Sequence, residues 1–173
     1  MKKFMKIFKN EKGLTLIELL AVIVILAIVA AIATPAIGNI IANSRDKAIL
    51  ADASTILSGA KLAVADGACT EIKTAAGSDK VGDYKCTTDQ LKPYVDGITL
   101  TTNDAVTKTV DTITTGTSPV TTKGIWTVKY ANLVNIKNTS KFTVAAATPD
   151  PGFTPGNAKD TITEISLNKA MNQ

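Results

Sequence analysis

The sequence predicts an α+β fold in which one long N-terminal helix, apolar on all sides in its first half and amphipathic in its second, packs on a small antiparallel β-sheet. Three observations carry this. No residue from Leu19 through Ser44 is charged, a run longer than the roughly 20 apolar residues that a membrane-spanning helix needs. Directly after it, with no turn signal between, Ile49, Leu50, Ala53, Ile56, Leu57, Ala60 and Val64 recur at spacings of three and four, while Asp46, Lys47, Asp52, Ser58 and Lys61 fall between them. From Ile98 onward, β-branched and aromatic residues alternate with polar ones.

At 173 residues the chain amounts to one domain with room for an appendage. Its first 13 residues are basic, with Lys2, Lys3, Lys6, Lys9 and Lys12 against Glu11. They hold the whole formal charge of +4, and the remainder is neutral. That location argues against a nucleic-acid partner, because Lys beside an apolar span stays on the cytoplasmic side and sets its orientation. The body of the chain is therefore expected outside the cytoplasm. Glu18 stands alone at the mouth of the apolar run. A carboxylate in such surroundings costs several kcal/mol unless it is paired, so it asks for a partner.

The helix is predicted from about Leu14 to Asp66, about 80 Å at 1.5 Å per residue, with Gly67 as its C-terminal cap. Pro35 and Gly38 interrupt the apolar half. Proline removes a backbone donor and crowds the preceding turn, so a kink or loosened segment is expected near Ile32 to Gly38.

Residues 68–97 read as an irregular connection punctuated by Gly77, Gly82 and Gly97, with one short helical turn between Thr88 and Val95. Cys69 and Cys86 are a disulfide candidate, since an even pair in an exported protein favours oxidation. Such a bridge contributes on the order of 3 kcal/mol by restricting the unfolded chain. Strands are expected where Trp126, Val128 and Tyr130 alternate with Ile125, Thr127 and Lys129, again around Val134 and Ile136, and again at Phe142, Val144 and Ala146. Ala131-Asn132 and Asn138 to Ser140 read as turns between them. A sheet of three or four strands follows, with one face on the helix stripe and the other in solvent. Thr supplies 11 of the 24 residues from Thr99 to Thr122, which reads as an exposed strand or long loop. Pro149, Pro151 and Pro155 with Gly152 and Gly156 mark another loop. Near the C-terminus, Ile162, Ile165 and Lys169 suit a helix capped by Asp160, whereas Thr163, Ile165 and Leu167 suit a strand; both stay open.

The chain has no His and a single Arg, Arg45. No Gly-rich phosphate loop, nucleophile elbow or spaced carboxylate pair appears, so the sequence predicts no catalytic residue, no metal ligands and no cofactor. Nothing forms a basic patch for nucleic acid.

Gly13-Leu14-Thr15-Leu16-Ile17-Glu18, the apolar run behind it and Pro35 together resemble a type IV prepilin, over roughly residues 1 to 66. The resemblance implies a pilin-like fold and three parts: a leader, 1–13, removed by prepilin peptidase; a transmembrane and assembly helix, 14–44; and a head, 45–173. It implies cleavage between Gly13 and Leu14, N-methylation of Leu14, and an assembly role for Glu18, the fifth mature residue. Leu14 departs from the Phe more common at that place. The implied function is a structural pilus subunit, not an enzyme: a precursor in the bacterial cytoplasmic membrane among lipid, then a homopolymer outside the cell, built with the pilus assembly machinery and minor pilins and serving motility or adhesion. Cleavage would free an amine four residues from Glu18, within reach of that carboxylate or of a neighbouring copy's. A staggered head-to-tail contact of that kind does not close on itself, so it yields an open fibre. The family's C-terminal disulfide has no counterpart here. Three other readings stay open: a pseudopilin of a secretion or DNA-uptake apparatus; a soluble secreted protein cut after Ala31-Ile32-Ala33, so that it begins near Thr34; and a single-pass membrane-anchored binding protein.

Overall fold

The computed structural model describes residues 15–72, 83–109, 112–115, 118–121, 124–146, 152–155 and 160–173. Helix α1 runs from Leu16 to Ala65, and the chain divides into two compact units, Met1–Ile41 and Ala42–Gln173. Within the second unit α1 buries the predicted stripe: Leu50, Ala53, Ile56, Leu57, Ala60 and Ala63 are buried, and Ile49 and Val64 pack against them. The helix stops as its sequence directs. Gly67 takes a left-handed φ of 73°, its N–H donates to Val64 O at 3.1 Å, and the Ala68 N–H reaches back to Ala63 O at 2.9 Å. This paired closure satisfies carbonyls that a helix end otherwise leaves without partners.

The helix packs on a five-stranded antiparallel sheet in the order β1-β2-β3-β6-β7. Its strands are β1 (Thr70–Glu71), β2 (Tyr84–Thr87), β3 (Ala105–Thr109), β6 (Ile125–Lys129) and β7 (Thr161–Thr163), while β4 (Thr112–Thr115) and β5 (Ser118–Thr121) pair as a separate hairpin. Register explains the two faces. Cys86, Val106, Val128 and Ile162 lie opposite one another across β2, β3, β6 and β7, and all four are buried. The neighbouring row on the other face is Lys85, Thr107, Thr127 and Thr163. Cys69 and Cys86 form a disulfide with Cα atoms 4.7 Å apart, tying the residue beyond the α1 cap to β2.

Several expectations need correction. The Thr-rich stretch is not merely an exposed strand or loop, because β3 is the middle strand of the sheet and Val106 is fully buried. Its Lys108 faces the inner side beside the rings of Tyr84 and Trp126, 5.6 Å from each centroid. A lysine held between aromatic rings hides a strand's inner face from hydropathy patterning. Val134 and Ile136 are not in a strand: Ala131–Asn135 is a 3₁₀ turn, and Thr139–Phe142 is a short helix, α3. Only Val144 keeps a bridge, to Phe153.

The cause is two buried carboxylates. Asp104, 2 % exposed, accepts from Ala131 N and from Thr101 N, each at 2.7 Å. Asp46, 1 % exposed, accepts from Lys137 N at 3.1 Å and Asn138 N at 2.8 Å. Backbone donors that a strand would offer to a neighbour are taken by side chains instead. Asp46 therefore does not lie on the solvent side of α1. The C-terminal ambiguity resolves into both options: β7 ends at Thr163, whose hydroxyl accepts from Ser166 N at 3.2 Å and caps α4 (Glu164–Met171). The cap is thus Thr163 and not Asp160. Thr88–Leu91 forms α2, continued by a 3₁₀ turn over Lys92–Tyr94. Gly77, Gly82, Pro149, Pro151 and Gly156 lie outside the described residues.

Two predictions arise in this unit. A Cβ on Gly59 would sit 2.6 Å from Val95 Cγ2 and 2.8 Å from Tyr94 O. Gly59→Ala is therefore expected to lose about 1–3 kcal/mol through overpacking, read by thermal denaturation; an unchanged midpoint would show that the 3₁₀ turn yields freely. The second concerns pH. Desolvation by burial raises the Tyr130 phenol above its ordinary range, helped by the carboxylates of Asp52 and Asp104 and opposed by the Asn132 hydrogen bond. Desolvation and then Asp66 act in the same direction on Tyr94. An unfolded chain releases phenol protons near pH 10, and the folded chain holds them to higher pH, so stability falls as pH rises past about 10. Tyr130→Phe is expected to flatten that alkaline limb of a denaturation series, and an identical limb would contradict the assignment.

Candidate functional site

The described part of the first unit opens on a helix cap. Thr15 precedes α1, and its backbone N–H and hydroxyl both donate to Glu18 Oε2 at 2.8 Å, while Glu18 N donates to Thr15 Oγ1 at 3.3 Å. Thr-x-x-Glu is the reciprocal capping box, which satisfies donors at a helix start and places a negative charge at the positive end of its dipole. Thr15 joins Glu18 as a partner that the sequence expectations do not include. Its signal, a hydroxyl residue three positions before Glu at the start of an apolar run, was available in the sequence.

From Leu16 to Ile41 every Leu, Ile and Val is between 48 and 82 % exposed, and the most apolar 18-residue window of α1 has a mean hydropathy of 3.1. Glu18 is the one charged residue between Thr15 and Ser44. This surface is stable only where lipid or other apolar helices cover it, since each exposed Å² of apolar surface forgoes about 25 cal/mol. The stretch covers about 39 Å of helix, against a hydrocarbon core of about 30 Å.

Pro35 lies inside α1, and the backbone stays helical from Ile32 to Gly38 although Pro35 has no N–H to donate to Ala31 O. Thr34 Oγ1 donates to Ala30 O at 2.7 Å, one turn back, a contact of the kind that bends helices. No atom lies within 4 Å of a Cβ built on Gly38, so no close approach requires glycine there. Glu18, Pro35 and Gly38 belong to the first unit and the Cys69–Cys86 bond to the second. Gly13 and Leu14 lie outside the described residues. Among the described residues no group of His, Cys, Asp and Glu side chains is arranged to hold a metal ion.

Residues 8–34 match the family model for the prokaryotic N-terminal methylation motif. The chain carries the type IV prepilin signature. The match spans Lys9 and Lys12 before Gly13, the capping box and most of the exposed apolar helix. It supports a type IV pilin-like or pseudopilin protein, a structural type of family, and its motif implies processing by prepilin peptidase and assembly into a pilus-like fibre. An apolar N-terminal helix joined to the prepilin signature fits a membrane-anchored precursor. No solved structure matches the chain.

Proposed function

We propose that this chain is the structural subunit of a type IV pilus. The leader, residues 1–13, is cut off after Gly13 by prepilin peptidase, the new amine of Leu14 is methylated, residues 14–44 hold the precursor in the membrane, and the head, 45–173, faces the outside. Copies then polymerise through their apolar helices into an extracellular filament, extracted from lipid by the assembly machinery.

The observation that carries this reading is the pairing of an all-round exposed apolar helix with one carboxylate at its start. Lipid satisfies the apolar surface before assembly, and other copies of the same helix satisfy it afterwards. Glu18 distinguishes the two environments: its Oε2 serves the Thr15 cap, and the carboxylate keeps acceptor capacity for a methylated amine of an adjacent copy. That ion pair fixes the axial stagger. Pro35 and Gly38 loosen the helix where neighbouring copies crowd. The Cys69–Cys86 bond stabilises the head after export.

Because the peptidase must reach the backbone at the cut, Gly13→Val is expected to leave the precursor full-length in the membrane fraction, with no sheared filaments. An immunoblot showing wild-type processing of that variant would contradict the assignment.

A further inference from the structure

The solvent face of the sheet carries a cavity for which the fibre role has no use. Strand register sets two rows on this face: Lys85, Thr107 and Thr127 in one, and Thr87, Ala105, Lys129 and Thr161 in the next. Ala105 is the smallest side chain in either row. It forms the floor of a cavity of about 410 Å³, walled by the threonines, the two lysines and the turn at Thr102 and Asn103. That volume is in the range of small-ligand sites.

The chemistry of the walls narrows the occupant. Threonine hydroxyls both donate and accept, and they repeat across strands about 4.8 Å apart, a spacing suited to the hydroxyls of a saccharide. No aromatic ring among the described residues lines the cavity, so none of them offers the ring stacking that holds neutral sugars. Charge supplies the alternative. Lys129 is partnered by Asp160 at 3.5 Å, whereas the exposed Lys85 has no carboxylate partner among the described residues. Asp104, the one acid in the lining among the described residues, is buried, with both oxygens turned to backbone N–H groups. Two lysines among the described lining residues, one of them paired with Asp160, are too few for nucleic acid, whose affinity grows with the number of phosphates neutralised, and those residues offer no aromatic platform for bases.

We propose that this cavity binds an acidic sugar unit, with Lys85 on the carboxylate and the hydroxyls of Thr87, Thr107, Thr127 and Thr161 on the sugar hydroxyls. The site lies wholly in the second unit and does not depend on fibre formation.

Isothermal titration of the mature, full-length protein in a nonionic detergent tests it, with trigalacturonate as the acidic probe and maltotriose as the neutral one. Trigalacturonate is expected to bind about tenfold or more tightly than maltotriose, and Lys85→Gln to weaken it about tenfold, the scale of one charge-assisted contact. Ala105→Leu, which fills the floor, is expected to abolish binding, while Lys92→Gln, outside the cavity, leaves it unchanged. Circular dichroism checks each variant's fold; if Ala105→Leu is unfolded, the exposed Lys85 decides. No binding of trigalacturonate, equal affinity for maltotriose, or affinity unaltered by Lys85→Gln overturns the proposal.

Discussion

Glu18→Ala is expected to leave the precursor inserted and cleaved while removing nearly all filaments from the sheared surface fraction. The apolar helix would still partition into lipid, and the Gly13–Leu14 cut would still be presented. What disappears is the one charge able to pair with a neighbour's amine. Leaving one member of such a pair without its partner in an apolar bundle costs about 3–5 kcal/mol, roughly a hundredfold or more in the equilibrium for adding a subunit. Because Glu18 also closes the cap on Thr15, two companions separate the effects. Glu18→Gln keeps an acceptor for the cap and loses the charge, and its filaments are expected to be lost as well. Thr15→Val keeps the charge and removes the hydroxyl of the cap, a change of about 1 kcal/mol, and filaments are expected to persist at reduced yield. Electron microscopy and immunoblotting of the sheared fraction read all three. Normal filaments from Glu18→Ala would sink the register mechanism.

The second large effect is on stability. Asp46→Ala leaves the N–H groups of Lys137 and Asn138 without their buried acceptor, and each unsatisfied donor costs about 1–3 kcal/mol. A loss of about 3 kcal/mol lowers the melting temperature of a domain this size by roughly 10 °C. The segment before α3 also loses its Asp46 tie to α1, although Asn43 still accepts from the Asn138 amide at 2.8 Å. Asp46→Asn, which retains one carbonyl acceptor, is expected to fall between wild type and Ala. A shift below about 2 °C for Asp46→Ala would mean that water or a rearranged loop replaces the carboxylate.

These two residues also mark how far the sequence could be read. Long, strongly periodic features were legible: the charge-free run, the three-and-four spacing from Ile49 to Val64, the Gly67 cap, the alternation around Trp126 and Val128, and the lone Glu18. Each follows from local geometry that depends on a few neighbouring side chains. Asp46 escaped because a carboxylate between apolar stripe positions ordinarily faces water, and nothing local announces that backbone donors more than ninety residues later will close on it. The same long-range capture turned the expected strands at Val134 and Phe142 into a 3₁₀ turn and α3. Strand β3 was hidden for another reason. Its inner face combines Val106 with Lys108, held between Tyr84 and Trp126, and its outer face is Ala105, Thr107 and Thr109, so no apolar alternation survives. Thr15 differs from all of these, because the capping pattern Thr15-Leu16-Ile17-Glu18 is local and fully legible in the sequence.

The mass and N-terminal sequence of the mature protein recovered from cells test the central claim most directly. A chain beginning at Leu14 and carrying one added methyl group is the expected result, and it joins the peptidase cut, the freed amine and Glu18 in one molecule. A chain beginning near Thr34 would contradict the account, because cleavage there discards Glu18 and the apolar helix with it.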